Sequence, residues 1–233
     1  MNNLILQIDT STSVCSVALS ENGQTLTVLD LDEPNAHAAK LTVLIEQVLA
    51  ETERSMKELT AIAVSMGPGS YTGLRIGVST AKGLCYGLDI PLIAINTLEA
   101  LFFGYHEQFG LKEKEAFIPM LDARRMEVYS AVYDHKHELV KPTSAEIIDA
   151  DYFEELLTTY NCVNLFGSGA DKFDTLFDTN DRVNVHLGFR DSAAFLSQLA
   201  FDKFQNKEFE DVAYFEPFYL KDFVVMTKKK VGL

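Results

Sequence analysis

Cysteine is scarce. Cys15, Cys85 and Cys162 are odd in number, widely spaced and never paired as Cys-x-x-Cys, which argues against a disulfide framework or a zinc site and for reduced core residues. Long apolar runs are missing as well. No stretch approaches the roughly eighteen residues that a membrane span needs, so no membrane contact is expected. The start, Met1-Asn2-Asn3-Leu4-Ile5-Leu6-Gln7-Ile8-Asp9, lacks a basic region and meets an acid too early for a signal peptide, so the expected location is the cytoplasm. Basic residues are few: 20 Lys and Arg against 34 Asp and Glu leave a formal net charge of −14 over 233 residues. Such a chain repels a phosphate backbone and is not expected to grip nucleic acid by itself. The one basic run, Lys228-Lys229-Lys230, reads as a solvated tail. Histidine offers no metal site either. His135 and His137 lie two apart in a charged hairpin, His37, His106 and His186 stand apart, and none forms the i, i+4 pair that a helix-borne site requires. The order of residues shows no Ser-His-Asp or Cys-His grouping.

Glycine, by contrast, is concentrated. Met66-Gly67-Pro68-Gly69-Ser70-Tyr71-Thr72-Gly73-Leu74-Arg75-Ile76-Gly77 follows an apolar run at 61–66 that reads as a buried strand. It opens a proline-free segment that reads as a helix over 72–88. A strand, a glycine loop and a helix start can lie against a phosphate, because glycine admits close backbone approach and the first helix amides carry partial positive charge. The same loop serves equally as a tight connection, and the local pattern leaves both readings open. The helix carries Gly73, Gly77, Ala81 and Cys85 at i, i+4 spacing, with Gly83 and Gly87 as a second small-residue row. Each interior glycine costs roughly 1 kcal/mol relative to alanine, so such rows imply a neighbour packed close, in this chain or in another.

The chain also repeats itself. Strands are expected at 4–9, 16–20 and 25–31, a helix at 36–53, the strand at 61–66, and then a strand at 91–95 and a helix at 98–105. The order returns with a strand at 117–121 ending in Asp122, a return strand at 128–133, a hairpin at 134–138, and a strand at 163–166 followed by Gly167-Ser168-Gly169-Ala170. Asp9 and Asp122 fall at matching strand ends. Helices in this second copy are expected at 151–160 and 192–205, with irregular connections. Two β-β-β-α-β-α units of this kind describe an α/β fold of two ribonuclease H-like, actin-like (ASKHA) domains, the second reduced, at 1–105 and 106–233. An active kinase of that architecture would hold phosphate at the first turn, yet Thr10-Ser11-Thr12-Ser13 contains no glycine. Its hydroxyls can bind phosphate or make ordinary turn bonds. Asp9, Thr10, Ser11 and Thr12 are therefore the candidate residual nucleotide or phosphate site, and a small active kinase or phosphotransferase is the alternative function.

Four segments together resemble a known family. Leu6-Gln7-Ile8-Asp9-Thr10-Ser11-Thr12 with Cys15-Ser16-Val17-Ala18-Leu19, the glycine motif at 67–77, Asp122-Ala123-Arg124 with Glu127-Val128-Tyr129, and Glu216-Pro217 with Tyr219-Leu220 are similar to the TsaB (YeaZ) family. The resemblance implies a non-catalytic subunit in the biosynthesis of threonylcarbamoyladenosine, beside the anticodon of tRNAs that read codons beginning with adenine. It would support a TsaD-type catalytic subunit, together with a TsaE-type ATPase, in transfer of the threonylcarbamoyl group from threonylcarbamoyl-AMP to N6 of that adenosine. Where the catalytic relative has Asn-His-x-Glu-x-His for its metal, this chain reads Asn96-Thr97-Leu98-Glu99-Ala100-Leu101, without either histidine. ATP and metal are accordingly expected on the partner subunits, no cofactor on this chain alone, and tRNA only through the complex. The resemblance also implies that the first long helix and the helix after the glycine loop meet the equivalent pair of the catalytic subunit, or of a second copy in a homodimer. That places the expected interface on Leu41, Leu44, Ile45, Val48, Gly73, Gly77 and Ala81.

Overall fold

The computed structural model describes residues 2–33, 36–123 and 125–221. Lys228-Lys229-Lys230 lies outside them, as do Met1, Pro34, Asn35 and Arg124. Strands β1 (Leu4–Asp9), β2 (Val14–Glu21) and β3 (Gln24–Asp32) form an antiparallel meander. Helix α1 (Ala36–Glu51) leads to β4 (Ala61–Gly67), and α2 (Tyr71–Leu88) leads to β5 (Leu92–Asn96). Strands β4 and β5 run parallel to β1, which gives the sheet order β3-β2-β1-β4-β5. Helix α3 (Thr97–Phe109) then carries the chain to a second sheet.

The second sheet repeats the first. Strands β6 (Glu115–Asp122), β7 (Glu127–Asp134) and β8 (Leu139–Ile147) form a meander, then β9 (Cys162–Phe166) and β10 (Val183–His186) add in parallel, in the order β10-β9-β6-β7-β8. Taken from the β8 edge this is the same order as in the first sheet, and Asp9 and Asp122 end corresponding strands. The architecture is α/β with two ribonuclease H-like domains of the actin-like kind, the second reduced. The reduction is in the helices, since all five strands are present. The crossovers of the first half are helices of 16 and 18 residues. Their counterparts are α4 (Leu156–Thr159) and a 3-10 turn at Ala170–Phe173.

Most of the expected elements are present, and the differences have physical causes. The helix expected at 151–160 is cut to α4, because the chain before it closes turns of the tighter i to i−3 kind, the Glu154 amide donating to the Asp151 carbonyl at 3.0 Å, while Phe153 is buried against Phe177. The helix expected at 36–53 stops earlier, with Glu53 in the left-handed region at φ 55°. The helix expected at 192–205 begins as a 3-10 turn, Ala193–Leu196, with Ser192 accepting from the Ala194 amide, and continues as α5 (Ser197–Asn206). The chain passes between the sheets at residues 110–114, after α3 rather than within it, where a division at 105/106 would fall.

Three apolar cores layer the molecule. One joins the outer face of the first sheet to α1 and α2, and includes Leu6, Ile8, Val48, Val64, Val78 and Ala81. A second lies between the sheets and joins Ile5, Ala63, Ile93 and Ile95 to α3, α5 and Phe117, Leu121 and Phe166. The third covers the far face of the second sheet. Strand β1 is buried along its whole length because it faces two of these layers at once. Among the described residues no helix is long and apolar enough to cross a membrane.

Candidate functional site

The glycine loop docks on the first turn of its own chain. After β1 the backbone turns through residues 10–13, and the loop before α2 lies across it. The Ser70 amide donates to the Ser11 carbonyl at 2.6 Å, and the Thr10 hydroxyl donates to the Gly73 carbonyl at 2.8 Å. A Cβ at Gly69 would overlap the Ser11 carbonyl oxygen, one at Gly73 the Thr10 carbonyl oxygen, and one at Gly77 the Thr10 hydroxyl. The two glycines of the first small-residue row, Gly73 and Gly77, are therefore required by contact with Ile8 and Thr10 of the same chain. Of the two readings of the loop, the tight connection is the one the geometry shows. Asp9, Thr10 and Ser11 are each no more than 2% exposed, so three residues of the candidate phosphate site lie under the protein's own loop, while Thr12 is half-buried.

Beneath that turn lies a pair of buried acids. Asp9 accepts from the Ser11 amide at 2.9 Å and the Ser11 hydroxyl at 2.6 Å. Asp191, on the loop after β10, is 4% exposed, and its Oδ2 has no hydrogen-bond partner among the described residues. Burial pushes the Asp191 carboxyl up to about 8, and the nearby charge of Asp9 adds to this against weaker opposition from Thr12 and Arg190. Burial also raises Asp9, despite its two bonds from Ser11. Burial and Asp9 push the Cys15 thiol up to about 11, which leaves it unreactive at neutral pH. Beside the pair, Asp30 accepts from the Ser16 hydroxyl at 2.5 Å and from the Ser192 hydroxyl at 3.0 Å. The Ala193 amide donates to Ser16 Oγ at 2.7 Å. Ser192 and Ala193 are thus stitched to β3 and β2, which no local sequence pattern indicated.

The segment compared with a metal motif serves the fold instead. Asn96 caps α3 by accepting from the amides of Leu98 and Glu99 at 2.9 and 3.3 Å. The Thr97 hydroxyl is bonded to Ser65 at 2.7 Å, and Leu98 and Leu101 are in the core between the sheets. Neither side chain at the two histidine positions offers a metal-binding nitrogen, and among the described residues no group of three or more His, Cys, Asp and Glu is placed to hold a metal ion.

The helix pair presents a different face from the one expected. Leu41, Leu44, Ile45 and Val48 are 8% exposed or less and anchor α1 to the first sheet, and Ala81 is fully buried below α2. With Gly73 and Gly77 against Thr10, all seven residues of the expected interface point inward, and that placement is corrected. The outward face is the second row. A Cβ at Gly83 or Gly87 would meet nothing within 4 Å among the described residues. Thr72, Arg75 and Ser79 continue this face, Tyr86 stands 87% exposed, and Val43 on α1 is 51% exposed. A groove of about 510 Å³ runs between the helices, lined by Ala38, Thr72, Arg75, Ile76, Ser79 and Thr80 together with Tyr71.

A family model described as TsaD, tRNA N6-adenosine threonylcarbamoyltransferase, matches residues 33–222. The protein named tRNA threonylcarbamoyladenosine biosynthesis protein TsaB from Bacillus subtilis is 33% identical over 154 residues, 65% of each chain. The chain belongs to this family, in its TsaB/YeaZ branch. TsaB from Haemophilus influenzae and from Escherichia coli are each 37% identical, over 55% of this chain. The matched segments span little more than half of those two relatives, 53% and 54%. The solved YeaZ from Pseudomonas aeruginosa superposes with a TM-score of 0.74 at 26% identity, over 94% of this chain and the whole of that one. The TsaB/YeaZ likeness thus extends over both sheets.

Proposed function

We propose that the chain is a non-catalytic subunit of threonylcarbamoyladenosine biosynthesis, which binds and supports a TsaD-type transferase subunit with a TsaE-type ATPase as third component. The contact surface is the outward face of α1 and α2: Val43, Thr72, Ser79, Gly83, Tyr86 and Gly87. One observation carries this reading. Gly83 and Gly87 sit in a helix at a cost of up to about 1 kcal/mol each relative to alanine, and unlike at Gly73 and Gly77 an added Cβ there would meet nothing within 4 Å among the described residues. A second backbone approaching α2 closely would supply the requirement. Family membership supports the identity of that partner, and the filled first turn speaks against the alternative of a small kinase.

The test is co-purification of the tagged chain with the TsaD-type subunit of its own organism, followed by reconstitution of tRNA modification. The pair is expected to associate, with modification requiring both and with no transfer by this chain alone. Product formation without the TsaD-type subunit, or full modification without this chain, would overturn the reading.

A further inference from the structure

Residues 207–221 belong by sequence to the second half and by contact to the first. After α5 the backbone reverses at Lys207, in the left-handed region at φ 60°. The Glu210 amide donates to the Leu92 carbonyl at 2.9 Å and closes the free edge of β5. Lys82, on the flank of α2, donates to the carbonyl oxygens of Ala213 and Phe215 at 3.2 and 2.9 Å. Val212 and Phe215 pack on the core beneath α2. The Phe218 amide donates to the Met66 carbonyl at 2.8 Å, just before the glycine loop. The Tyr219 ring then lies 4.8 Å from that of Tyr71 at the start of α2, and Lys221 pairs with Glu127 at the start of β7.

These anchors flank one element. The segment holds α2 at its first residue, at its middle and at the strand end that feeds it, and its last contact ties that assembly to the second sheet. Helix α2 needs such a restraint, because four glycines weaken its own preference for helix and at two of them an added Cβ would meet nothing within 4 Å among the described residues. A cavity of about 420 Å³ under the segment, lined in part by Arg75, Ser79, Lys82 and Glu216, leaves the restraint to a few defined contacts rather than to continuous packing. We propose that residues 207–221 are a strap that fixes α2 in its partner-binding position, with Lys82 and Tyr219 as the positioning residues. The proposal rests on the reading of the outer face of α2 as a partner surface.

Full-length Lys82→Met and Tyr219→Ala variants test it, by amide hydrogen exchange of the isolated chain and by affinity for the TsaD-type subunit. Exchange over residues 79–90 is expected to quicken at least about tenfold while β6, β7 and β9 keep the parent's protection. Affinity is expected to fall about tenfold. Parent-like exchange across α2 in both variants would overturn the strap. So would weaker binding with α2 exchange unchanged, since that makes the two side chains direct contacts. If Lys82→Met opens the whole chain, Tyr219→Ala decides alone, its ring being a half-buried contact outside the cores. Failure of the parent to bind the transferase subunit would instead overturn the proposed function, while loosening of α2 in the variants would still read on the strap.

Discussion

Asp9 and Asp122 occupy the same place in two copies of one sheet and live in opposite environments. Asp9 is buried beside a second acid, with the glycine loop closed over the turn that comes after it. Asp122 is half exposed and paired with Lys172 at 2.5 Å. In both halves the loop after the fourth strand closes on the end of the first: Ser70 on Ser11 in one, the Gly169 amide on the Met120 carbonyl at 2.9 Å in the other. The difference lies in the element next in the chain. In the first half the loop opens an 18-residue helix with an uncovered outer face, and in the second a single 3-10 turn. A sheet order can therefore persist through duplication while the helices outside it differ in length and in the face they leave uncovered.

The sharpest way to break this comparison is at the glycines. Gly73→Ala puts a methyl group into a backbone carbonyl that cannot step aside, and should destabilise the chain by about 3 kcal/mol, measured by urea denaturation. Parent-like stability would mean that the loop does not rest on the turn. The next effect concerns pH. Asp191 has a folded value of about 8, above its ordinary 3.8, so the native state keeps a proton that the unfolded chain releases. Its contribution is fully present below about pH 4, declines as the pH rises towards 8 and is lost above that. Asp191→Asn should therefore raise the melting temperature relative to the parent by an increment that grows from pH 5 to pH 8. An increment independent of pH would place the proton elsewhere.

Gly83→Ala should stabilise the isolated chain by about 0.5 to 1 kcal/mol, opposite in sign to Gly73→Ala although both lie in one helix. Gly83→Leu should in addition weaken partner binding at least about tenfold, read by titration calorimetry. Smallest of all is Asp122→Asn. An ion pair at a half-exposed carboxylate contributes at most about 1 kcal/mol and is screened by salt, so the variant should unfold within that margin of the parent and converge on it in about 0.5 M salt.

Much of this contrast was legible in the amino-acid order. The strand at 4–9 and the glycine loop were readable because a buried run leading into turn chemistry is a local signal, and the repeat exposed the matching strand ends. The direction of the helix rows was not. Gly73 and Gly83 are indistinguishable in sequence, and only the position of Thr10, far off in the chain, separates a glycine that must be small from one that is free. Leu41, Val43, Leu44, Ile45, Val48 and Leu49 read as too broad a band for one buried stripe, yet all but Val43 are buried, because a helix lying on a sheet beside a second helix covers a wide face. Asp191 could not be foreseen, because its partner Asp9 lies at the other end of the chain and nothing in Arg190-Asp191-Ser192 marks it.

The rings between the two sheets carry a last consequence. Tyr105 stacks on Phe166 at 4.2 Å, Phe189 on Phe195 at 5.6 Å, and Phe117 fills the space beside them. Where another two-lobed molecule would swing about a hinge, this one has a wedge of aromatic side chains driven into the gap. The gap is occupied by packed rings. On the function proposed above, the entropy of ordering its surface is spent when the chain folds and not when it associates, and it would meet its partner as a finished template whose effect lies in shape already set.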